Sequence, residues 1–600
     1  MKCDLPPRGN EGVRMSRRRN EETSYDEASR GRFGSGGNLF GFGAGGNGLP
    51  QVFGVLVFLM LVVVGRLVWL QVVEAPRLSQ EAQQRRTSTV VLQARRGTIY
   101  DRNGNVLAMS EECYDVYCNP KEVADADAES KLVAHWLGGV AADYRDLMVK
   151  DSTFVYLSRM ANKEACESLR SDLISQGFAG VYLIPQTHRV YPFGQVAGQI
   201  LGMVNTDGKG VSGIELAYNE VLAGKNGQMT METGLGGIPV AGGEREVTEP
   251  INGGDIVLAI DKDAQMYAEQ QIEEAVVKNK AKSGFCMVCN PKTGEIIAAC
   301  STPYADLSNP ETIQNEALNL KLVSDSYEPG SIFKVLTAAI GIESGTVDSS
   351  DYFTVPPTML VGQDLVEDED GRTTTMDMNL REVLRRSSNV GMAQIAQDAI
   401  GADAFAQGVS SFKIGELTGI DYPGESVGLV KNRNEYDPSS LGSMSFGQGI
   451  ACPMVQMVRA VGSIANDGML VTPHFVLSAE GKTLAWEGGE RSVSVVTANK
   501  VVDMMRTVVE EGTGESAAVE GYDVAAKTGT GEQAENGKYV KDKYLASLIG
   551  FAPAKDPEVL VYVGLNETPY MSYSSAGPVF SAIMGEVLAD LGVPSYSREL

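Results

Sequence analysis

The longest run of hydrophobic residues in the chain lies near its N-terminus. Residues 52–73, VFGVLVFLMLVVVGRLVWLQVV, are interrupted only by one arginine and one glutamine. A run of this length crosses the hydrocarbon core of a bilayer as one helix, with Arg66 reaching toward the headgroups and Trp69 at the interface. A cleaved signal peptide is the alternative, but the run follows a long polar tail and precedes no small-x-small cleavage site. We predict an uncleaved transmembrane helix at residues 51–73, preceded by a flexible polar tail at residues 1–50.

Between this span and about residue 249 the pattern is mixed. Residues 95–108, RRGTIYDRNGNVLA, alternate like two paired strands around an Asn103-Gly104 turn, which is a strong hairpin signal. Segments with helical periodicity follow, and the turn NGGD at residues 252–255 marks the next boundary. We therefore predict a pedestal domain of mixed α/β structure at residues 74–249.

The rest of the chain, residues 250–600, has strand patterns at both of its ends and helical patterns in its middle. An apolar hairpin, GFCMVCNPKTGEIIAAC, lies near its start, and three strands, YDVAAKTGT, YLASLIGFAP and EVLVYVGLNE, precede the closing helix VFSAIMGEVLADLG. The segment KDAQMYAEQQIEEAVVKNK predicts an amphipathic helix with Met266, Ile272, Val276 and Val277 facing inward. This order predicts an α+β domain in which helices flank one antiparallel sheet.

One predicted helix has almost no polar residue. In the stretch YEPGSIFKVLTAAIGIESG, residues 327–345, the two turns after Ser331 carry hydrogen-bonding side chains only at Lys334 and Thr337. A helix that is apolar on every side is buried, and a lysine in it is unfavourable unless it has a partner or a chemical task. Ser331 and Lys334 are three residues apart and share one helix face. Either Ser331 caps the helix beside a lysine that extends to solvent, or it is a nucleophile with a desolvated lysine as its base.

Charge and composition narrow the possible functions. The 600 residues include 51 Lys and Arg against 77 Asp and Glu, and the net charge of −26 argues against nucleic acid as a partner. The three histidines have no neighbours at metal-ligand spacing, so we predict no metal site and no cofactor, and lysine is favoured over histidine as a base. Cys286 and Cys289 are three apart in a strand and point to opposite faces, which is typical of packed thiols. The acidic run QDLVEDEDGR, residues 363–372, is interpreted as a solvated face.

Three short motifs then decide between a helix cap and a nucleophile. They are Ser331-x-x-Lys334, Ser387-x-Asn389 and Lys527-Thr528-Gly529, the last continuing as Thr530-Gly531. Each is weak alone, because Ser-x-x-Lys recurs at Ser410 and Lys-Thr-Gly recurs at Lys292. Ser410 does not open a buried helix, and Lys292 lies at the tip of the predicted hairpin. Lys527 instead lies at the end of an apolar strand, so we assign the site to the first set.

In this order the motifs resemble those of penicillin-binding proteins and class A β-lactamases. The chain resembles the class B penicillin-binding proteins, which are monofunctional peptidoglycan D,D-transpeptidases, over nearly everything after about residue 50. The segments that carry the resemblance include RGTIYDRNGNVLA, GVSGIELAYNEVLAGKNG, YEPGSIFK, TGIDYPGE, SFGQGIACP and AAKTGTGEQ. It implies a serine β-lactamase-like transpeptidase domain with a five-stranded antiparallel sheet. It also implies a bacterial membrane protein with a cytoplasmic N-terminus and an extracytoplasmic catalytic domain, which the charges around the span leave open.

The resemblance implies a catalytic role for five residues. Ser331 attacks the D-Ala-D-Ala carbonyl of a stem peptide, and Lys334, neutral in its buried site, takes the proton. Ser387 passes a proton to the leaving amine, while Asn389 holds Lys334 and the substrate amide. Lys527 supplies positive charge for the substrate carboxylate.

The same resemblance extends to substrate binding and to partners. The substrate-binding residues that it implies are Thr528, Gly529 and Thr530. The backbone N–H groups of Ser331 and Thr530 form the oxyanion hole, and an amine from a second stem resolves the acyl-enzyme. β-Lactams are implied as covalent inhibitors, and a SEDS-family glycosyltransferase and divisome proteins as partners at the membrane. The segment NTDGKGVSGIE and a compact pedestal favour a septal or sporulation enzyme over an elongation enzyme.

Two other functions remain open from the sequence. A β-lactamase or a D,D-carboxypeptidase has similar motifs, but a class A β-lactamase needs a Glu-x-x-Leu-Asn type loop between Asn389 and Lys527, and that stretch contains none. A membrane-anchored β-lactam sensor or an inactive divisome scaffold is the non-enzymatic alternative. The intact motifs favour an enzyme.

Overall fold

The computed structural model describes residues 48–75, 77, 87–232, 245–486, 488–535 and 538–595. Nearly all of the predicted polar tail, residues 1–50, lies outside the described residues. The chain divides into two compact units, Met1–Thr87 and Ser88–Leu600.

The described part of the first unit is one long helix. Helix α1 spans Gly48–Val68 and runs into a π-helical turn, Trp69–Val73. Among the described residues, Val52–Val73 is the one helix that is long and apolar enough to cross a membrane. Its length matches the thickness of a bilayer core.

Within its described residues, the N-terminal part of the second unit contains strands of a mixed sheet and of a separate three-stranded sheet, with helices packed against the mixed sheet. Its strands are β1 Thr87–Leu92, β2 Ile99–Tyr100, β3 Val106–Cys118, β4 Val155–Asn162, β5 Val181–Val190, β6 Gly227–Glu232, β7 Arg245–Thr248 and β8 Ile256–Leu258. Its helices are α2 Ala126–Leu137, α3 Ala141–Met148, α4 Lys163–Ser175, α5 Gly198–Leu201, α6 Gly213–Ala217 and α7 Asn219–Ala223. Strand β3 pairs with β2, β4 and β5, and α2 and α4 bury apolar side chains against it.

The predicted strand pair at residues 95–108 is confirmed. Strands β2 and β3 pair antiparallel across a turn in which Gly104 has φ +86°, a conformation that favours glycine. The Asp101 carboxylate accepts hydrogen bonds from the N–H groups of Asn103 and Asn105, which hold the turn closed. Strand β2 also runs parallel to β8, so this hairpin connects the pedestal sheet to the strands that follow.

The C-terminal part of the second unit contains several sheets within its described residues, and one of them is a five-stranded antiparallel sheet. The strands of this whole part are β9 Ser283–Cys289, β10 Ile296–Ser301, β11 Ser326–Tyr327, β12 Tyr352–Val355, β13 Thr358–Val361, β14 Asp364–Glu367, β15 Met376–Asn379, β16 Cys452–Pro453, β17 Met469–Val471, β18 Val476–Ala479, β19 Lys482–Thr483, β20 Gly488–Arg491, β21 Ala525–Glu535, β22 Lys538–Ala552 and β23 Val559–Thr568. Its helices are α8 Lys262–Lys278, α9 Lys321–Ser324, α10 Lys334–Glu343, α11 Leu380–Arg386, α12 Asn389–Ile395, α13 Ala402–Ser411, α14 Ser440–Ser445, α15 Met454–Ala465, α16 Val495–Glu511 and α17 Ala576–Asp590. The five-stranded sheet has the order β10-β9-β23-β22-β21, with antiparallel neighbours throughout.

This sheet confirms the predicted α+β fold. The hairpin near the start of the domain and the three strands near its end lie side by side, although the helical middle separates them in the chain. Helices cover both faces: α8 and α17 pack on one face, and α10 and α15 belong to the core on the other. Ile272 of α8 and Phe580 of α17 are fully buried on the first face, and Leu336 of α10 is fully buried on the second.

The inward face of α8 differs from the prediction. Ile272 is buried as expected, but Met266 is 49% exposed and Val277 is 76% exposed. Gln265 takes an inward position instead, because its side chain donates to the carbonyl of Ala299 at 2.9 Å and accepts from the N–H of that residue at 2.8 Å. Ala299 lies in β10, an edge strand of the sheet, and the free backbone groups of an edge strand need partners when they are buried.

The two thiols of the Cys-x-x-Cys sequence lie on opposite faces of β9, as predicted. Cys286 packs in the core that contains α8 and α17, and Cys289 packs in the core on the other face. Burial raises the pKa of the Cys289 thiol to about 12, so it stays protonated at neutral pH.

Candidate active site

Ser331 lies at a sharp entry into the buried helix. Pro329 and Gly330 precede it, and a 3-10 turn, Gly330–Phe333, leads directly into α10. Gly330 has φ +56°, and its N–H donates to the carbonyl of Gly447 at 3.1 Å. Ser331 is 6% exposed. Its hydroxyl is therefore held at the start of a helix, where the helix dipole stabilises negative charge.

Lys334 is the first residue of α10 and is fully buried. Its Nζ donates to the backbone carbonyl of Ser387 at 2.5 Å and to Oδ1 of Asn389 at 2.7 Å, and lies 3.2 Å from Ser387 Oγ. Burial lowers its pKa to about 8, while the carboxylates of Glu369 and Asp368 act in the opposite direction. A lysine with a pKa in this range is partly neutral near physiological pH and can accept a proton.

Ser387 and Asn389 lie at the junction of two helices. Helix α11 ends before Ser387, which has φ 59° and ψ 37°, a left-handed conformation that is rare for serine. Ser388 caps the next helix, since its Oγ accepts a hydrogen bond from the Gly391 N–H at 2.9 Å. The change of direction between α11 and α12 brings Ser387 and Asn389 to the same Lys334 amine.

Lys527 lies in β21, at the edge of the five-stranded sheet. The prediction that its motif ends a strand is wrong, because β21 continues beyond the motif while paired with β22. Lys527 is fully buried, and its Nζ donates to Ser387 Oγ at 2.9 Å and to the Thr528 carbonyl at 2.8 Å. Burial, and then the positive charge of Lys334, lower the pKa of Lys527 well below its usual range.

Gly529 allows β21 to approach the turn that carries Ser331. A Cβ atom at this position would lie 2.7 Å from Ser547 Oγ and 2.8 Å from Ile332 Cγ1, closer than side-chain carbons pack. Because successive side chains of a strand alternate, Thr528 and Thr530 share the other face. Thr528 is buried and Thr530 is half-buried.

The structure thus brings the three predicted motifs together. Ser387 Oγ lies between the two lysine nitrogens, 3.2 Å from Lys334 Nζ and 2.9 Å from Lys527 Nζ. A Cβ atom at Gly330, next to Ser331, would lie 3.6 Å from the carbonyl oxygen of Thr530. The turn that carries Ser331 therefore lies beside β21, the strand that contains Lys527.

The second copies of the motifs are engaged elsewhere. Lys292 forms ion pairs with Asp556 at 2.5 Å and Glu558 at 3.0 Å. Lys413, which follows Ser410, forms an ion pair with Glu490 at 2.9 Å.

The acidic run at residues 363–372 is more than a solvated face, which corrects the prediction. Most of its side chains are exposed, but Asp368 is only 7% exposed. Its carboxylate accepts hydrogen bonds from Ser388 Oγ at 2.7 Å, the Val390 N–H at 3.0 Å and Arg372 Nε at 2.9 Å. The bonds from Ser388 and Val390 hold the junction between α11 and α12. The sequence contained no signal for this role, because one aspartate in a charged run does not show that it is buried.

The sequence analysis missed two further residues, and both contact strand β21. Thr513 Oγ1 lies 3.0 Å from Thr528 Oγ1, and Ser572 Oγ lies 2.9 Å from Thr530 Oγ1. Both are common polar residues outside any motif, so only their position in the fold distinguishes them.

Comparison with protein families covers most of the chain. Residues 284–585 match the family described as the penicillin binding protein transpeptidase domain. Residues 91–258 match the family described as the penicillin-binding protein dimerisation domain.

Individual relatives cover nearly the full length. The Neisseria gonorrhoeae protein named "Probable peptidoglycan D,D-transpeptidase PenA" is 31% identical over 90% of this chain and 92% of its own length. A solved structure from Atopobium parvulum is 40% identical, with a TM-score of 0.67 over 84% of this chain and 100% of that one. Penicillin binding protein 3 of Mycobacterium tuberculosis, solved in complex with aztreonam, is 26% identical, with a TM-score of 0.66 over 85% of this chain and 98% of that one.

Proposed function

Because the chain belongs to the class B penicillin-binding protein family and is a peptidoglycan D,D-transpeptidase, we propose that Ser331 is its nucleophile. Ser331 attacks the penultimate D-alanine carbonyl of a donor stem peptide, and the terminal D-alanine leaves. An amine of a second stem then takes the acyl group and forms the cross-link. The observation that carries this assignment is the buried contact of Lys334 with Ser387 and Asn389.

Lys334 is proposed as the base that takes the Ser331 proton. A neutral amine has two N–H groups and one lone pair. The Ser387 carbonyl and Asn389 Oδ1 can only accept, so the two short bonds to them use both N–H groups. The lone pair then points away from these two acceptors, and Ser331 shares the helix face of Lys334 one turn earlier. Because burial lowers its pKa to about 8, part of Lys334 is neutral near physiological pH, and in that form its free electron pair is available to a hydroxyl group.

Ser387 is proposed to carry the proton from Lys334 to the leaving amine. Its hydroxyl lies within hydrogen-bond distance of both lysine nitrogens. A hydroxyl both donates and accepts, so Ser387 can receive a proton from protonated Lys334 and pass its own proton onward. The positive charge of Lys527 destabilises a second positive charge at Lys334. This repulsion favours transfer of the proton from Lys334 to Ser387.

Lys527 is proposed as the partner of the substrate carboxylate, together with Thr528, Gly529 and Thr530. Burial and the nearby Lys334 disfavour the charged form of Lys527 in the free enzyme. A carboxylate bound beside it raises its pKa again, because opposite charge stabilises the ammonium form. Substrate binding and protonation of Lys527 are therefore coupled.

The oxyanion hole is proposed to consist of the backbone N–H groups of Ser331 and Thr530. Strand β21 is an edge strand, so the backbone groups on its outer side have no strand partner within the described sheet. Donors of this kind stabilise the negative oxygen of a tetrahedral intermediate.

Lys527→Ala is expected to slow acylation by a β-lactam by about ten- to a hundredfold. A hydrogen bond to a charged group contributes roughly 1.5–3 kcal/mol, which corresponds to that change in rate. The loss should be much smaller for the same β-lactam with its carboxylate masked as an amide. The measurement is the second-order acylation rate constant for both compounds.

Lys292→Ala is the matched control for Lys527→Ala. It removes the lysine of the second Lys-Thr-Gly, which is paired with Asp556 and Glu558 outside the site. Acylation by both compounds should stay within about twofold of the wild type. If Lys527→Ala slows the free acid and the amide equally, Lys527 is not the carboxylate partner.

Asp368→Asn is expected to slow acylation by about tenfold. The substitution keeps the shape of the side chain but weakens two bonds to the helix junction and one to Arg372, and bonds to a charged acceptor contribute more than neutral ones. Stopped-flow labelling should show a slower acylation step. Asp115→Asn is the control, because Asp115 is 3% exposed and accepts a bond from the Met160 N–H in the pedestal sheet. Equal acylation rates in the two variants would contradict a role of Asp368 at the site.

We propose the finer biological role from the sequence pattern. The tail at residues 1–50 is cytoplasmic, residues 51–73 span the membrane, residues 74–249 form the pedestal and residues 250–600 form the extracytoplasmic transpeptidase domain. The segment NTDGKGVSGIE supports a septal enzyme that acts with a SEDS-family glycosyltransferase and divisome proteins. A fluorescent fusion in the source bacterium should gather at the division site, and an even distribution along the lateral wall would contradict this role.

The reaction itself is tested on lipid-linked precursor that has been polymerised into glycan strands. The full-length protein should produce cross-linked stem dimers and release D-alanine. Release of D-alanine without dimers would indicate a carboxypeptidase, and penicillin binding without either product would indicate a sensor or scaffold.

A further inference from the structure

A buried serine far from the three motifs supports the strand that carries Lys527. Ser572 lies in the turn between β23 and α17 and is 1% exposed. Its Oγ lies 2.5 Å from the carbonyl oxygen of Gly529 and 2.9 Å from Thr530 Oγ1. Ser572 therefore contacts two of the residues proposed to bind the substrate carboxylate.

The directions of these two hydrogen bonds follow from the groups involved. A carbonyl oxygen can only accept, so Ser572 donates its single hydroxyl proton to Gly529. In the contact with Thr530, the donor must then be the Thr530 hydroxyl. In the free enzyme, the only proton of that hydroxyl is thus directed at Ser572 and is not available to a substrate.

A bound carboxylate requires a different arrangement. A carboxylate can only accept, so Thr530 must turn its proton toward the carboxylate in order to bind it. If Ser572 did not respond, two hydroxyl oxygens 2.9 Å apart would face each other without a proton between them. Ser572 avoids this by rotating its own proton from the Gly529 carbonyl to Thr530 Oγ1.

The Gly529 carbonyl has a second donor for this case. Ser547 Oγ donates to the same oxygen at 3.2 Å. When Ser572 rotates away, the buried carbonyl of Gly529 keeps the hydrogen bond from Ser547 Oγ, so the rearrangement leaves no buried acceptor unpaired. The second donor makes the change of direction accessible.

We propose that Ser572 is a positioning residue that switches its proton from Gly529 to Thr530 when the substrate carboxylate binds. The result is a chain of hydrogen bonds that runs from Ser572 to Thr530 and on to the carboxylate. Each bond in such a chain polarises the next and strengthens it. This inference rests on the proposed function of Thr530 as a carboxylate ligand.

The test compares a β-lactam that has a free carboxylate with its methyl ester. The ratio of the two second-order acylation rate constants measures how well the enzyme recognises the carboxylate. Ser572→Ala should lower this ratio about three- to tenfold, the effect of one neutral hydrogen bond. The rate for the ester and the melting temperature should change little.

Ser575→Ala is the matched control. Ser575 lies in the same turn and is also 1% exposed, but its hydroxyl donates to the Met571 carbonyl at 2.8 Å. Its substitution should leave the ratio within twofold of the wild type. Ser572→Cys, which keeps a weaker donor, should give a ratio between those of the wild type and Ser572→Ala, and it replaces the alanine variant if that variant does not fold.

A double variant identifies the residue through which Ser572 acts. In a Thr530→Val background, Ser572→Ala should not lower the ratio further, because the chain already lacks its middle member. An unchanged ratio in Ser572→Ala, an equal loss for acid and ester, or an additive loss in the double variant would each overturn the switch. A wild-type enzyme that acylates acid and ester equally fast would instead contradict the carboxylate site itself.

Discussion

We expect the Ser331→Ala variant to lose covalent labelling by a fluorescent penicillin completely and to keep its melting temperature within about 3 °C of the wild type. The variant lacks the hydroxyl oxygen that we propose forms the acyl bond. The turn that presents this residue is held by backbone contacts of Gly330 and Gly447, which the substitution does not touch. Labelling is measured on a gel, and the melting temperature by calorimetry.

Ser410→Ala is the control for this prediction. Ser410 belongs to the second Ser-x-x-Lys sequence, at the C-terminal end of α13, and its Lys413 is paired with Glu490. The variant should label like the wild type. If Ser331→Ala still labels and a peptide map finds the penicilloyl group on Ser410, the nucleophile has been assigned to the wrong motif.

The second large effect is expected for Lys334→Arg, which should slow acylation by about a hundredfold or more, the usual contribution of a general base. Arginine keeps the positive charge but does not release its proton in a protein, so it cannot accept the proton of Ser331. Its larger planar group must also fit a position where Lys334 is fully buried. An acylation rate above a tenth of the wild-type value would show that the base lies elsewhere.

The pH dependence of acylation tests the same role. Lys334 must be neutral to act as a base, and its pKa in the free enzyme is about 8. At saturating β-lactam, where the bound carboxylate keeps Lys527 charged, the acylation rate constant of the wild type should therefore rise with pH through about 8 and level off above it, whereas Lys334→Arg should show no such rise. Lys500→Arg, at an exposed ion pair with Asp348, should keep the wild-type profile. A flat wild-type profile between pH 7 and 9 would contradict a neutral lysine base.

Much of the local structure could be predicted from the sequence. Hairpins and strands follow from alternation and turn residues, and these signals are short-range, so the strands of the central sheet were recognised from separate segments. The burial of α10 follows from its apolar residues on every side, and the shared face of Ser331 and Lys334 follows from the pitch of a helix. The roles of these residues remain predictions, but their place at the start of a buried helix needed no tertiary information.

The meeting of the motifs was decided by the tertiary structure. Ser387 Oγ contacts Lys334 and Lys527, which are 53 and 140 residues away along the chain. Spacing alone does not determine such contacts, because they depend on how the helical middle of the domain packs against the edge of the sheet. The pattern of the motifs indicated one site only through resemblance to a family.

The tertiary structure alone also decided which polar residues are buried. Gln265 faces inward on α8 in place of Met266, because the backbone of β10 supplies its partners. Asp368 and Ser572 are buried for the same physical reason, since each satisfies groups that another segment brings to it. Hydrophobic periodicity measures only the tendency of apolar groups to leave water. A polar group is buried where the fold supplies hydrogen-bond partners, and these come from residues distant in the sequence.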